Sequence, residues 1–277
     1  MDRELWGCDF SSAPSRRKPI VLACGRLRAG RVALDRIETF ETLAAFGARL
    51  QEPGSWVGGF DLPFGLPREL VEALSWPTPW LDCMRHYAAL SRAEIRTAFA
   101  AFCAARPAGG KFAHRATDRP AGSSPSMKWV NPPVAFMLHA GVPLLLDAGV
   151  SLPGLHEGDP ARIALEAYPG LLARSVLGAR SYKSDDKAKQ TPERLAARQE
   201  LLAALEQGSA PLLRASGLAL ALDDRQRERM LADASGDRLD AALCLLQAAW
   251  ALRQHQAGHA RWGLPEFDAL EGWIVGA

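Results

Sequence analysis

Long apolar runs are missing from this chain of 277 residues. None of its hydrophobic stretches reaches the ~20 residues that a bilayer-spanning helix needs. The opening, MDREL, carries two acids and leads straight into a strand-like pattern, unlike a secretory leader. The expectation is a cytoplasmic protein. An excess of one charge is also lacking: 33 Lys and Arg stand against 31 Asp and Glu, a net charge of +2. That balance argues against an extended nucleic-acid-binding face. The basic clusters are short (Arg16, Arg17, Lys18; Arg26, Arg28, Arg31; Lys183, Lys187, Lys189) and each reads as a solvated loop. Cysteines are few and scattered: Cys8, Cys24, Cys83, Cys103 and Cys244. Their odd number and wide spacing exclude a disulfide framework and give no zinc-site pattern.

What is present is a 48% hydrophobic content, enough for a sizeable core. The pattern predicts an α/β fold in one domain, 1–277, with a helical and loop insertion over 68–145. Strands are expected at 4–10, 19–25 and 31–40, the last two joined by the turn-like RLRAG. These three read as an antiparallel meander. A helix follows over 41–50. The next strand begins at 55 and stops at Asp61, because Pro63, Gly65 and Pro67 cannot continue a ladder. Ser91 and Glu94 form a capping box for a helix over 91–106. Residues 107–129, rich in Gly, Pro, Ser and basic residues, read as a long loop, and such loops are often functional or merely mobile. Further elements are a helix at 131–141, a strand at 161–170, and helices at 191–205, 223–234 and 236–254. EGWIVG, 271–276, fits a short strand or a tail packing back.

Acids recur where these apolar elements end. Asp9 closes the first strand within LWGCDFSSAP, and Asp61 closes the fourth. Glu166 ends the later strand, and Asp237 and Asp240 open the long apolar helix. Sites in α/β sheets gather beyond the carboxyl ends of strands, and residues three apart share a helix face. Carboxylates brought together this way either titrate upward or bind a cation. Hard oxygen ligands suit Mg²⁺ or Mn²⁺. Such ions activate water and stabilise the leaving oxygen in phosphodiester cleavage. Each acid also has a local explanation. Asp237 and Asp240 are good first-turn helix residues. Asp61 suits an Asx turn before Leu-Pro, and Glu166 suits a pairing with a nearby arginine. Asp9, flanked by Trp6, Cys8 and Phe10, is the hardest to explain locally.

The segments GCDFSSAP, GGFDLPFGLP, ALEAYPG, SYKS with TPERLAARQELLAAL, GDRLDAALCLLQAAWA and EGWIVG together resemble domain-of-unknown-function family 429. The likeness runs from about residue 4 to the C-terminus. That family is regarded as predicted nucleases with an RNase H-like fold. DRLDAAL also looks like the last acidic motif of Holliday-junction resolvases of the same superfamily. The resemblance implies Asp9 as the first-strand metal ligand, Asp61 as the fourth-strand acid, and Asp237 and Asp240 as the acids of the C-terminal helix. It implies Mg²⁺ or Mn²⁺ as cofactor and DNA or RNA as partner. Two departures stand out. Asp61 occupies a place where many RNase H-like nucleases carry glutamate, and Glu166 has no clear counterpart in the resolvases.

Around these acids, Lys183 in YKS is a candidate phosphate contact acting as a point charge. His114 and Arg115, in the long loop, are candidates for closing a site. His139 sits on an apolar helix and reads as structural. Trp76 and Trp80 in WPTPW suit packing under a turn better than stacking on a base. Two other functions compete with a metal-dependent nuclease. A nucleotide-dependent phosphotransferase of the actin-like or sugar-kinase type needs a glycine-rich phosphate loop, and DFSSAP contains no glycine. A non-catalytic nucleic-acid- or protein-binding member of the fold would bind no divalent ion.

Overall fold

The computed structural model of the chain describes residues 3–107 and 109–277. Its centre is a mixed seven-stranded sheet in the order β5-β6-β4-β1-β2-β3-β7. Strands β1 (Glu4–Asp9), β2 (Ile20–Arg28) and β3 (Arg31–Phe40) form the expected antiparallel meander. After helix α1 (Leu43–Gln51), β4 (Trp56–Phe60) returns parallel to β1. Helices α2 (Arg68–Ala73), α3 (Trp80–Ala89), α4 (Arg92–Ala104), α5 (Asp118–Ala121) and α6 (Val134–Asp147) come before the chain rejoins the sheet. The two-residue β5 (Val150–Ser151) and then β6 (Asp159–Glu166) add in parallel beside β4. Helices α7 (Pro169–Leu177), α8 (Pro192–Gln207) and α9 (Pro211–Ser216) follow. They lead to the edge strand β7 (Ala219–Ala221), to α10 (Asp224–Ala232) and to the long α11 (Asp237–Gln256). Among the described residues no helix is long and apolar enough to cross a membrane.

Several boundaries differ from the sequence reading. The strand expected over 161–170 ends at Glu166, and Pro169 opens α7 rather than ending a strand. Proline lacks only the N–H that the first helical turn leaves unused, so it starts helices well. The helix read within 131–141 starts after its prolines, at Val134, as expected, but runs on through Pro143 to Asp147. The 107–129 loop contains the short α5. Of the two readings of EGWIVG, the tail packing back holds: Ile274 and Val275 are buried, and the Val275 N–H donates to the Glu166 carbonyl.

Alternation along the strands divides the core in two. Trp6, Cys8, Ile20, Leu22, Trp56 and Phe60 face helices of the 68–147 stretch. Leu5, Val21, Ala23, Val57, Ile163 and Leu165 face the other way, toward α7, α8 and α11. Helix α11 crosses β1, β2 and β4 on this second face. It is buried on nearly every side over Leu239–Leu252, so it is a core helix rather than an amphipathic one.

Candidate active site

Two glycines decide where the acids meet. Gly7 and Asp9 share one face of β1, and Gly59 stands on the same face of β4, two residues before Asp61. A Cβ at Gly7 would sit 2.1 Å from both the Ala241 carbonyl oxygen and the Leu245 nitrogen of α11. At Gly59 it would sit 2.6 Å from the Cys244 carbonyl oxygen. With no side chains in the way, α11 lies against the sheet backbone and its first turn comes down beside the carboxyl ends of β1 and β4. Asp240 precedes Ala241, the residue resting on Gly7, and Asp237 lies one turn further toward the helix start. Asp9, Asp61, Asp237 and Asp240 are thereby brought within mutual electrostatic influence.

Their surroundings differ. Asp240 is fully buried and doubly engaged: Tyr182 Oη donates to Oδ1 and Lys183 Nζ to Oδ2. Lys18 Nζ bonds Asp237 Oδ1 and Asp185 Oδ1, both at 2.8 Å. Asp9 and Asp61 accept no side-chain hydrogen bond among the described residues. Burial, then the nearby Asp240 charge, pushes the Asp9 carboxyl well above the usual carboxylate range, against the pull of Lys183. The same two causes push Asp61 up to about 7. Burial lowers the affinity of the Lys183 ammonium for its proton, but Asp240, Tyr182 and Asp9 more than reverse this.

Glu166 reaches the other two strand-end acids from the opposite face: its charge acts on Asp61, and it lines one cleft with Asp9 and Asp61. It shares the Ala164 face of β6, opposite the face of Ile163 and Leu165 that packs toward α11. The three strand-end carboxylates therefore border one cleft, while side-chain parity turns Glu166 away from α11. Both Glu166 oxygens are taken instead by Arg115, at 2.7 and 2.8 Å, and the Phe64 N–H adds a third bond at 2.8 Å. Asp118 shares the same guanidinium, and all three side chains are buried. Arg115 thus pins the 107–129 loop to the end of β6, while His114 is exposed beside it. His139 Nε2 contacts the Leu90 carbonyl at 2.8 Å, and Trp80 Nε1 donates to the Phe64 carbonyl at 2.7 Å. Trp76 packs on His86, Tyr87 and Phe99. These three are parts of the core.

Three contributors went unread in the sequence: Lys18, Tyr182 and Gly236. Gly236 has φ of +79°, and a Cβ there would stand 2.8 Å from the Lys183 Cβ. The buried Arg198 donates to the Tyr182 carbonyl at 2.8 Å and so holds the YKS segment over the helix start. Gly236–Asp237 and Tyr182–Lys183 adjoin only in the fold, so no local sequence signal marked them.

The acids open into a cleft of about 510 Å³, lined by Asp9, Asp61, Lys18, Lys183 and, at its far side, Arg115 and Glu166. All donors on the α11 face are carboxylate oxygens, the ligand type of Mg²⁺ and Mn²⁺. Asp9 and Asp61, lacking donors, fit such an ion. Lys183 occupies Asp240, however, and among the described residues no three His, Cys, Asp or Glu side chains stand as a ready-made metal cage. Neither a family model, nor a curated protein, nor a solved structure matches the chain.

A pH dependence follows from Asp61. Its folded-state affinity for a proton exceeds the ordinary value of 3.8. Between about pH 4 and 7 the folded chain therefore holds a proton that the unfolded chain has released, and stability falls as pH rises. With chelator present, thermal unfolding should show the protein about 2 kcal/mol less stable at pH 8 than at pH 5, after allowance for solvent screening. Asp61→Asn should make that slope shallower, the remainder coming from Asp9, which is raised by the same causes. Identical slopes in the two proteins would contradict the assignment.

Proposed function

We propose that this protein is a divalent-metal-dependent nuclease with an RNase H-like core, hydrolysing phosphodiester bonds of DNA or RNA. The observation that carries the reading is the pair Asp9 and Asp61. They are carboxylates at the ends of adjacent parallel strands, without hydrogen-bond donors among the described residues, beside the acidic first turn of α11. The strand order β6-β4-β1-β2-β3, with only β2 running against its neighbours, supports the RNase H-like description. So do the acidic motifs that resemble domain-of-unknown-function family 429.

Asp9 and Asp61 would hold Mg²⁺ or Mn²⁺, with Asp237 and Asp240 completing the negative field; the ion would supply Lewis acidity and a more acidic water. Tyr182 and Lys183 fix the rotamer of Asp240. Lys183, half-exposed at the cleft, also presents positive charge to an incoming phosphate. Lys18 holds Asp237 in the same way. Glu166 serves the site indirectly, by anchoring Arg115 and the loop that walls the cleft.

Calorimetric titration with Mn²⁺, paired with cleavage of labelled single-stranded, duplex and branched DNA and of RNA, tests the reading. Cleavage should require Mn²⁺ or Mg²⁺ and stop with chelator. No ion binding and no cleavage of any substrate would remove the nuclease and favour a non-catalytic member of the fold.

A further inference from the structure

Two unlike compartments meet at the carboxylates. The larger is the cleft of about 510 Å³, whose lining beside the acids includes the apolar Phe10, Leu62, Val134, Met137 and Ile274. The smaller is a trough of about 250 Å³ running past Arg174, Arg180 and the first turn of α7. Asp61, Tyr168 and Lys183 line both. A phosphodiester seated at Asp61 therefore sends one substituent to an apolar chamber and the other to a basic one.

The cations are unevenly committed. In the cleft, Lys18 is bound to Asp185 and Asp237, Lys183 to Asp240, and Arg115 to Glu166 and Asp118. In the trough, Arg180 pairs with Glu200 at an exposed position. Arg174 donates only to neutral groups, the Gly122 carbonyl and the Tyr168 hydroxyl, so its charge is uncompensated among the described residues. A duplex presents one phosphate charge per ~1.7 Å of axis and is held by runs of unpaired Lys and Arg. A net charge of +2 and cations already bound to acids do not offer such a run. Chambers of this size instead match a small ligand.

Resting on the hydrolase reading above, the geometry points to a short single-stranded phosphodiester, about two nucleotide units long, as the substrate class. One base lies against the Phe10–Met137 wall, the scissile phosphate at Asp9 and Asp61, and a neighbouring phosphate toward Arg174. Hydrolysis consumes one water. Its oxygen bonds phosphorus, the bond from phosphorus to one sugar oxygen breaks, and that oxygen leaves with a proton.

The test compares the thymidine dinucleotides TpT and pTpT, a single-stranded 12-mer and the same 12-mer as duplex. Cleavage is followed with Mn²⁺, and pTpT binding is followed by calorimetry with Ca²⁺. Expected kcat/KM values for pTpT and the single strand agree within about tenfold, with the duplex on the order of 100-fold lower. Met137→Asp should raise KM for pTpT about tenfold with little change in kcat. Arg174→Gln should lower the preference for pTpT over TpT by about tenfold. A duplex cleaved as well as the single strand, or a 12-mer cleaved while pTpT is not, overturns the substrate class and leaves the hydrolase. Binding of pTpT without hydrolysis of any substrate keeps the occupant and removes the hydrolase. Neither binding nor hydrolysis removes both.

Discussion

Asp9→Asn should abolish the proposed cleavage, by a factor on the order of 10³ or more, while the protein melts at the parental temperature or above it. Both halves of this result come from one fact: the Asp9 carboxylate is nearly buried and accepts no side-chain hydrogen bond among the described residues. A carboxylate so placed is costly to ionise, and Asp240 raises that cost. An amide of the same shape removes the charge, and with it the ligand that a divalent ion would require. The fold therefore loses nothing and the chemistry loses its centre. Cleavage rate and thermal midpoint, measured on the same preparation with Mn²⁺ supplied, decide the matter. A variant that still cuts at the parental rate excludes Asp9 from the reaction.

Gly7→Ala is expected to cost stability on the order of 5 kcal/mol, beyond the ordinary range for a single methyl group. The added carbon meets backbone on two sides, the Ala241 oxygen and the Leu245 nitrogen, each at 2.1 Å. Backbone inside a buried helix has no rotamer to change, so α11 must lift from β1. That movement opens contacts around Leu5, Val57 and Leu245 and draws Asp240 away from Asp9. Gly54→Ala is the matched control. Its nearest neighbour would be Trp56 Cδ1 at 3.8 Å, an ordinary contact. Urea unfolding should separate the two variants clearly, and equal midpoints would mean that α11 is not seated as described.

The strands were legible because their alternation and their breakers lie close together in sequence. LWGCD, PIVLACG and WVGGFD each carry apolar residues with a glycine or an acid at the end. Helices with caps, such as Ser91–Glu94, were equally plain. Edge strands β5 and β7 were not, since two or three residues hold too little pattern. Within the site, the meeting of Asp9, Asp61, Asp237 and Asp240 was foreseen from their positions at element ends. For Glu166 the sequence offered both the cluster and an arginine pairing, and Arg115 supplies the pairing; the orientation of its side chain was not legible. It depends on which face of β6 looks toward α11, and nothing local in ALEAYPG says so. The partners Lys18 and Tyr182 were hidden for a related reason: Lys18 reaches Asp237, and Tyr182 reaches Asp240, only through the fold.

The placement of α11 also dictates when the protein becomes competent as it is made. Asp9 and Asp61 leave the ribosome early, while Asp237 and Asp240 arrive with a late helix whose apolar surface has no home except the bare floor of the sheet. Until that helix emerges, the floor at Gly7 and Gly59 stays uncovered, an invitation to aggregation. Chains ending before residue 237 thus lack both the cover over Gly7 and Gly59 and the two acids that α11 brings to Asp9 and Asp61.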